Sequence, residues 1–513
     1  MTHSFPLNNS VLSVRSAVNT FSILYLFPMR PVSLSFSLSL LLSVSLPLPL
    51  SFSDAQRPNV LFIAVDDMRM NIGCYGDPIA VTPNIDRLAA RSIRFDRAYC
   101  QFASCNASRS SLITGMRPDS ISVWKLNTNF RDTTPDAITL PQAFKQNGYH
   151  TESIGKVLHN YYDTLRDNER SWSAPARFDK VNHFRDYGYE KNLPAPGKLK
   201  KTIVAENADV PDEAYADGII ADDAVATIRR LAANDTPFFL AIGFLKPHSP
   251  YNAPKKYWNL YDRADMNALG STKAPSGVPE QNWWDSSEIR TFADIPKKGP
   301  IPEETASRMR HGYYAATSYA DANIGKALDA LEESGAADNT IIVLWSDHGY
   351  HLGENSQWAK VTVRELDARV PLIISIPGGQ SGSTKALVES IDLYPTLSEL
   401  CGLPASEAID GRSFKSVLSN SNSSFRSAAL TQVCRPWSNK APIEQMAYSI
   451  RTDQHRYTQW LDFETNELIA EELYAIENDL LQRDNLATSS PERLSNFRSL
   501  INQTLNSPTN PSP

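Results

Sequence analysis

Four apolar runs in this chain stop abruptly at charged or turn-forming residues, and that repetition predicts the architecture. Pro58-Asn59-Val60-Leu61-Phe62-Ile63-Ala64-Val65 runs straight into Asp66-Asp67. Phe238 to Phe244 precedes Lys246-Pro247-His248, and Ile341 to Trp345 precedes Asp347-His348-Gly349. The fourth run, Val370 to Ile376, ends in Pro377-Gly378-Gly379. Continuous apolar stretches of this length suit strands buried on both faces of a parallel sheet. Helical patterns lie between them, at Ile138 to Asn147 and over Arg310 to Ser334, the latter stopped by Gly335. Strands alternating with helices predict an α/β fold whose sheet is covered on both sides. Ligands of such sheets bind beyond the carboxyl ends of the strands. The acids and histidines after the apolar runs can therefore converge, although they are far apart in sequence.

Elsewhere the patterning changes. Ser271 to Pro302, rich in Pro, Gly, Ser, Lys and Trp, lacks periodicity and reads as a long surface excursion that shapes a binding site. After Cys401-Gly402-Leu403-Pro404 come short β-like runs over Met446 to Leu461, then a charged, partly helical stretch over Glu467 to Leu486. The expected organisation is a catalytic α/β domain over 56–400, a smaller α+β domain over 401–490, and a loose tail over 491–513. At the other end, Val32 to Phe52 is uncharged and rich in Leu, Ser, Val and Phe, with Arg30 before it and Ser53-Asp54-Ala55 after it. Residues 1–55 therefore read as a signal peptide, with Met29 as an alternative start. A membrane anchor is the competing reading, weakened by the Ser and Pro content. No later stretch is long and apolar enough to span a bilayer, so no stable membrane insertion is expected after cleavage. The expected destination is export: bacterial periplasm by preference, otherwise secretion, or the lysosome in a eukaryote.

Composition narrows the function without choosing it. With 513 residues, 42% hydrophobic and 21% charged, the chain is ordinary globular protein. A net charge of −7 argues against a nucleic-acid partner, which needs clustered Lys and Arg. It leaves an anionic substrate open, since a few cations aimed into one cleft suffice. The five cysteines, Cys74, Cys100, Cys105, Cys401 and Cys434, leave at least one thiol unpaired in an exported chain. Among the others, Cys401–Cys434 is the expected pair if a disulfide forms.

Asp66-Asp67 and Asp347-His348 are the candidate metal ligands. Carboxylates gathered at one sheet edge repel one another unless a cation neutralises them. Oxygen donors favour Ca²⁺ or Mg²⁺, while the imidazole leaves transition metals open; Ca²⁺ is the expected ion. Cys105-Asn106-Ala107-Ser108-Arg109, followed by Ser110-Ser111-Leu112-Ile113-Thr114-Gly115, is chemically ambiguous by itself, being compatible with a structural, disulfide-bonded or loop thiol. As a pattern it resembles the sulfatase signature, Cys-x-Pro/Ala-x-Arg with a later Thr-Gly. The resemblance runs from Arg57 to about Leu486 and is strongest to iduronate-2-sulfatase-like members of the alkaline phosphatase superfamily. It is carried in order by the Pro58–Asp67 segment, the Cys105 signature, Gly155-Lys156-Val157-Leu158-His159 and Lys246-Pro247-His248-Ser249-Pro250. Asp347-His348-Gly349-Tyr350, Gly353-Glu354, Trp358-Ala359-Lys360 and Glu472-Leu473-Tyr474 complete it.

The resemblance implies a large, mostly parallel mixed sheet sandwiched by helices. It also implies exo-acting hydrolysis of a sulfate ester on a sulfated glycan or uronic acid, as by a 2-O-sulfatase. Cys105 would be oxidised to formylglycine by a maturation enzyme. Asp66, Asp67, Asp347, His348 and an oxygen of the matured Cys105 correspond to the metal ligands. Arg109 corresponds to the residue that holds the aldehyde hydrate, Lys156 and Lys360 to those that grip sulfate, and His159 and His248 to the acid–base pair. His248 is the expected proton donor to the leaving alcohol and His159 the expected base. Asn127 is a further candidate to face substrate. Ala107 stands where most members have proline, an accepted variant. Asn106-Ala107-Ser108 is also a formal glycosylation sequon, expected to be unused because a glycan there would block the pocket. A phosphatase or phosphonate hydrolase of the same superfamily is the competing enzyme class. A silent glycan-binding protein is the competing reading if Cys105 is never matured.

Overall fold

The computed structural model describes residues 57–159, 166–177, 186–195, 202–267, 273, 275, 277–284, 287–404 and 408–506. The expected signal peptide, parts of the Ser271–Pro302 excursion and the last seven residues lie outside them. The central sheet has seven strands: β1 (Asn59–Val65), β2 (Ile93–Phe95), β3 (His150–Gly155), β4 (Phe238–Phe244), β5 (Thr340–Ser346), β6 (Leu372–Ser375) and β7 (Gly382–Thr384). Their spatial order is β7-β2-β6-β5-β1-β4-β3. All neighbours are parallel except β6, which is antiparallel to both β2 and β5.

Strand β1 explains why its apolar run is continuous. Val60, Phe62 and Ala64 enter one core, while Leu61, Ile63 and Val65 enter another on the opposite face. A strand alternates its side chains between faces, so one covered on both sides has no polar positions to offer. The first face carries α2 (Cys105–Thr114), α3 (Leu140–Gln146) and α7 (Leu393–Leu400). The second carries α1 (Pro83–Ala90), α4 (Ala216–Ala232) and α6 (Glu303–Glu333). Helix α3 starts where Thr139 and Gln142 form a capping box. Helix α6 begins before the expected Arg310, because Pro302 and the acidic first turn of Glu303 and Glu304 suit a helix N-terminus.

Four expectations need correction. The Val370–Ile376 run is strand only over Leu372–Ser375 and runs antiparallel to β5. Between the two lie only short strands and one-turn helices, such as Glu365–Ala368, and no long crossover helix of the kind a parallel pair needs. The Glu467–Leu486 stretch supplies a strand, Leu468–Ala475, rather than a helix. With Ala429–Arg435, Gln445–Arg451 and His455–Asp462 (β8 to β10) it forms β11 of a four-stranded antiparallel sheet. The tail is not loose throughout: Pro491–Asn506 is a helix, α8, whose Leu494 and Ile501 pack on Leu430, Ile450, Tyr457 and Leu473 of that sheet. Trp460, Met446 and Val433, on its other face, join the core of the α/β layers. All five cysteines are free thiols, so the expected Cys401–Cys434 pair is not made. Among the described residues no helix is long and apolar enough to cross a membrane.

The Ser271–Pro302 segment is less superficial than its composition suggests. Where described, it contributes α5 (Ser287–Arg290), and Ile289, Phe292 and Ile295 are buried with Tyr251 and Tyr350. Their spacing by three residues was masked by the polar residues around them.

Candidate active site

Four adjacent parallel strands, β5, β1, β4 and β3, deliver the site from their carboxyl ends. Val65 pairs with Ser346 on one side and Phe244 on the other, so the residues after each strand emerge at one level. Asp66-Asp67, Asp347-His348 and Lys246-Pro247-His248 follow these three ends. Lys156 follows β3, where Gly155 and Gly243 permit close backbone contact. A Cβ on Gly243 would lie 2.1 Å from the Lys156 carbonyl, and one on Gly155 2.2 Å from the Gly243 carbonyl oxygen. Asp67 sits at φ 61°, a left-handed conformation uncommon outside glycine that turns its carboxylate away from the strand direction.

Cys105 is the first residue of α2, after an extended Ser104, so its side chain lies at a helix N-terminus. The helix ends at Gly115, φ 69°, which lets the chain turn back on the last carbonyls. Arg109, one turn on from Cys105, ties the strand ends together. Its Nε donates to Asp347 Oδ2 at 2.8 Å, its Nη2 to Asp66 Oδ1 at 3.1 Å, and its Nη1 to the Val157 carbonyl at 3.1 Å. Lys156 pairs with Asp66, and Lys360 Nζ donates to Asp67 Oδ1 at 2.6 Å. Lys360 stands in a strained loop, flanked by Ala359 at φ 63° and Val361 at φ 80°. Both lysines are held above the ordinary lysine value: burial is the largest single effect and opposes their charge, but the nearby acidic groups together, led by Asp66 for Lys156 and Asp67 for Lys360, outweigh it.

His348 and His248 are each oriented through one ring nitrogen. His348 Nδ1 lies 2.9 Å from the Gly349 carbonyl, leaving Nε2 3.3 Å from Cys105 Sγ and 3.4 Å from Asp67 Oδ1. His248 Nδ1 lies 2.6 Å from the Ser249 carbonyl, and its Nε2 is 3.8 Å from Asp67 Oδ2. Burial, then the Lys156 ammonium, pushes His159 down to about 3. Its Nδ1 has no hydrogen-bond partner among the described residues.

Of the residues expected to hold a metal, Asp66, Asp67, Cys105 and His348 present ligand atoms within 4.8 Å of one another. Asp347 stands just behind them, its Oδ2 3.6 Å from His348 Nε2 but already accepting from Arg109. The donor set fits a divalent cation, and Asp67 Oδ2 is buried without a hydrogen bond among the described residues. Asp67 is pushed up by burial and by Asp66, while Lys156 and the other cations hold Asp66 down against its own burial. A cation would stabilise both buried carboxylates.

Asn127 is exposed, on the segment whose Lys125 and Thr128 carbonyls each accept from Asn106 Nδ2 at 2.7 Å. The sequon amide is therefore buried and engaged. Two residues with roles in this geometry were not singled out from sequence. Asp217 of α4 accepts from the Leu245 and Lys246 amides, at 2.8 and 2.9 Å, and so fixes the approach to His248. Glu288 of α5 reaches within 3.5 Å of His248 Nε2 and 3.3 Å of Lys360 Nζ. Neither follows an apolar strand, and a single acid on a helix carries no sequence signal of its own.

The sulfatase family profile matches residues 58–403, and that described as N-sulphoglucosamine sulphohydrolase, C-terminal, matches 353–506. Iduronate 2-sulfatase of Mus musculus is 32% identical over 507 residues, covering 84% of this chain and 91% of that protein. The chain belongs to the sulfatase family. This sulfatase is accordingly a sulfuric ester hydrolase. Its fold is shared with a phosphonate monoester hydrolase from Silicibacter pomeroyi, at 21% identity and a TM-score of 0.70 over 87% of this chain and 94% of that one. It is shared equally with a 2-O GAG sulfatase, at 21% identity and a TM-score of 0.63 over 88% of the sulfatase and 93% of its counterpart. Likeness at that level establishes the architecture and does not choose a substrate.

Proposed function

We propose that this enzyme is a formylglycine-dependent, exo-acting 2-O-sulfatase of a sulfated glycan or uronic acid, with Ca²⁺ in its site. The observation that carries the reading is the convergence of Asp66, Asp67, Cys105 and His348 within 4.8 Å, with Arg109 bridging Asp66 and Asp347. The relative at 32% identity is an iduronate 2-sulfatase, which supports the uronic-acid substrate class.

Asp66, Asp67, His348 and the matured Cys105 side chain would hold the ion, with Asp347 completing the set. Bound there, a divalent ion neutralises the carboxylates and polarises sulfate. Formylglycine hydrate supplies two hydroxyls on one carbon, one to accept the sulfuryl group and one to release it. Around them the chain's own groups bind and move protons. Lys156 and Lys360 place two fixed positive charges beside the reacting sulfate. Arg109 holds the Cys105 end of α2 against two strand ends, so the nucleophile is positioned before substrate arrives. His248 presents Nε2 to the site and donates the proton that the leaving alcohol requires. His159 has a neutral ring at pH 7 and accepts the proton released as sulfate departs.

The test is mass spectrometry of the Cys105 peptide after co-expression with a maturation enzyme, together with sulfate release from a 2-O-sulfated disaccharide. Conversion of the thiol to an aldehyde and release of one sulfate from the non-reducing end are expected. A persistent thiol, with phosphate- or phosphonate-ester turnover that survives Cys105→Ala, would overturn the reading.

A further inference from the structure

Glu288 stands apart from the other charged groups of the site. Its side chain is 21% exposed, against 6% for Lys360 and 5% for His248, while Asp66 and Asp67 are fully buried. It lies on the open side of the proton donor. Two devices hold it there. Ser249 Oγ donates to Glu288 Oε1 at 2.8 Å, and the next residue, Ile289, is buried in the core with Tyr251 and Tyr350. Oε1 is 3.5 Å from His248 Nε2, and Oε2 is 3.3 Å from Lys360 Nζ.

That position has a stereochemical consequence, which rests on the exo 2-O-sulfatase reading above. For His248 to protonate the leaving alcohol, the ester oxygen must come within hydrogen-bond reach of Nε2. Gauche oxygens on adjacent ring carbons are about one hydrogen-bond length apart. A carboxylate oxygen beside the same nitrogen therefore meets the substituent next to the ester carbon. In a terminal residue sulfated at O2, the oxygen at C1 is in the glycosidic bond, so the free neighbour is the 3-hydroxyl. An ionised carboxylate only accepts, and its two oxygens offer about four lone-pair sites between them.

We infer that Glu288 is a specificity-determining residue that accepts a hydrogen bond from the 3-hydroxyl of the 2-sulfated sugar and excludes a residue also sulfated at O3. A hydroxyl adds a hydrogen bond to the carboxylate, hydrogen at C3 forfeits that bond, and a second sulfate sets like charges against each other.

The experiment compares three methyl uronosides on the matured enzyme: the 2-sulfate, its 3-deoxy analogue and the 2,3-disulfate, with release of the 2-sulfate followed by NMR. The wild type should favour the 2-sulfate over the 3-deoxy compound by about tenfold or more, and over the disulfate by about a hundredfold. Glu288→Ala should bring the first ratio close to one. Glu288→Gln, of the same shape and with an amide oxygen that still accepts, should keep part of the hydroxyl preference while releasing most of the disulfate exclusion. Equal losses on all three substrates, with both ratios unchanged, would mean that Glu288 is merely structural and would overturn the inference. A wild type inactive on all three would instead overturn the 2-O-sulfatase reading, and the inference with it.

Discussion

Arg109 donates through Nε to Asp347 Oδ2 at 2.8 Å, and both side chains are buried. One guanidinium on α2 thereby joins the helix that begins at Cys105 to the end of β5, and through Nη2 to Asp66 after β1. Lysine has the charge but not the planar fork. Arg109→Lys should lower kcat by at least about a hundredfold, and Arg109→Ala should also cost about 3–5 kcal/mol of stability by leaving buried carboxylates uncompensated. Steady-state kinetics and chemical denaturation of the two variants check this. Unchanged stability in Arg109→Ala would contradict the bridging role.

Removal of the proposed ion should be felt in both activity and fold. Asp66 and Asp67 are adjacent and fully buried, with Asp67 held above and Asp66 below the ordinary carboxylate value. Dialysis against a chelator should abolish sulfate release and lower the melting temperature, and adding back Ca²⁺ should restore both, with about one ion per chain by elemental analysis. Full activity in metal-free enzyme would rule out the proposed centre.

The role of His248 predicts dependence on the leaving group. An activated aryl sulfate departs without help, whereas a sugar alkoxide needs the proton. His248→Ala should therefore slow a sugar 2-sulfate by about 10²–10⁴-fold and 4-nitrophenyl sulfate by far less. Equal losses on the two substrates would argue against proton donation from this ring.

Glu365 supplies a pH dependence remote from the chemistry. Burial alone would raise it, but Arg456 and then Arg451 outweigh burial and bring it from an ordinary 4.5 to about 2. Arg456 Nη2 lies 2.6 Å from its Oε2 and Tyr99 Oη donates to Oε1 at 2.7 Å. Because the folded value is the lower one, the stabilisation is fully present above about pH 4.5 and is lost as the pH falls toward 2, amounting to about 3 kcal/mol. Glu365→Gln should flatten the stability profile across that window and lower stability at pH 7. Denaturation curves between pH 2 and 7 (about one per half unit) measure it; an unaltered profile would mean that the pair contributes nothing.

Much of the site was legible because its residues follow buried strands. Asp66-Asp67 and Asp347-His348 each come directly after a continuous apolar run, and the Cys105–Gly115 signature names a family once its neighbours are read in order. The direction of Leu372–Ser375, the strand at Leu468–Ala475 and the helix at Pro491–Asn506 were not legible. Each depends on what the segment packs against. Leu468-Ile469-Ala470-Glu471-Glu472 has helix-forming residues, yet β10 offers a hydrogen-bonding edge, and Glu472 gains Trp460 Nε1 as a donor there. Local propensity is a weak prior against such partners.

The sequence by itself determined the α/β class, the order of strand ends and the residue types that converge, since hydrophobic period and strand termini are local properties. Only the tertiary structure decided that Asp347 serves Arg109 and stands just behind the Asp66, Asp67, Cys105 and His348 cluster, that Asp217 fixes the loop before His248, and that Glu288 reaches His248 and Lys360. The first of those contacts joins residues 238 positions apart. Distances of that kind follow from register and packing between elements, which no local pattern encodes.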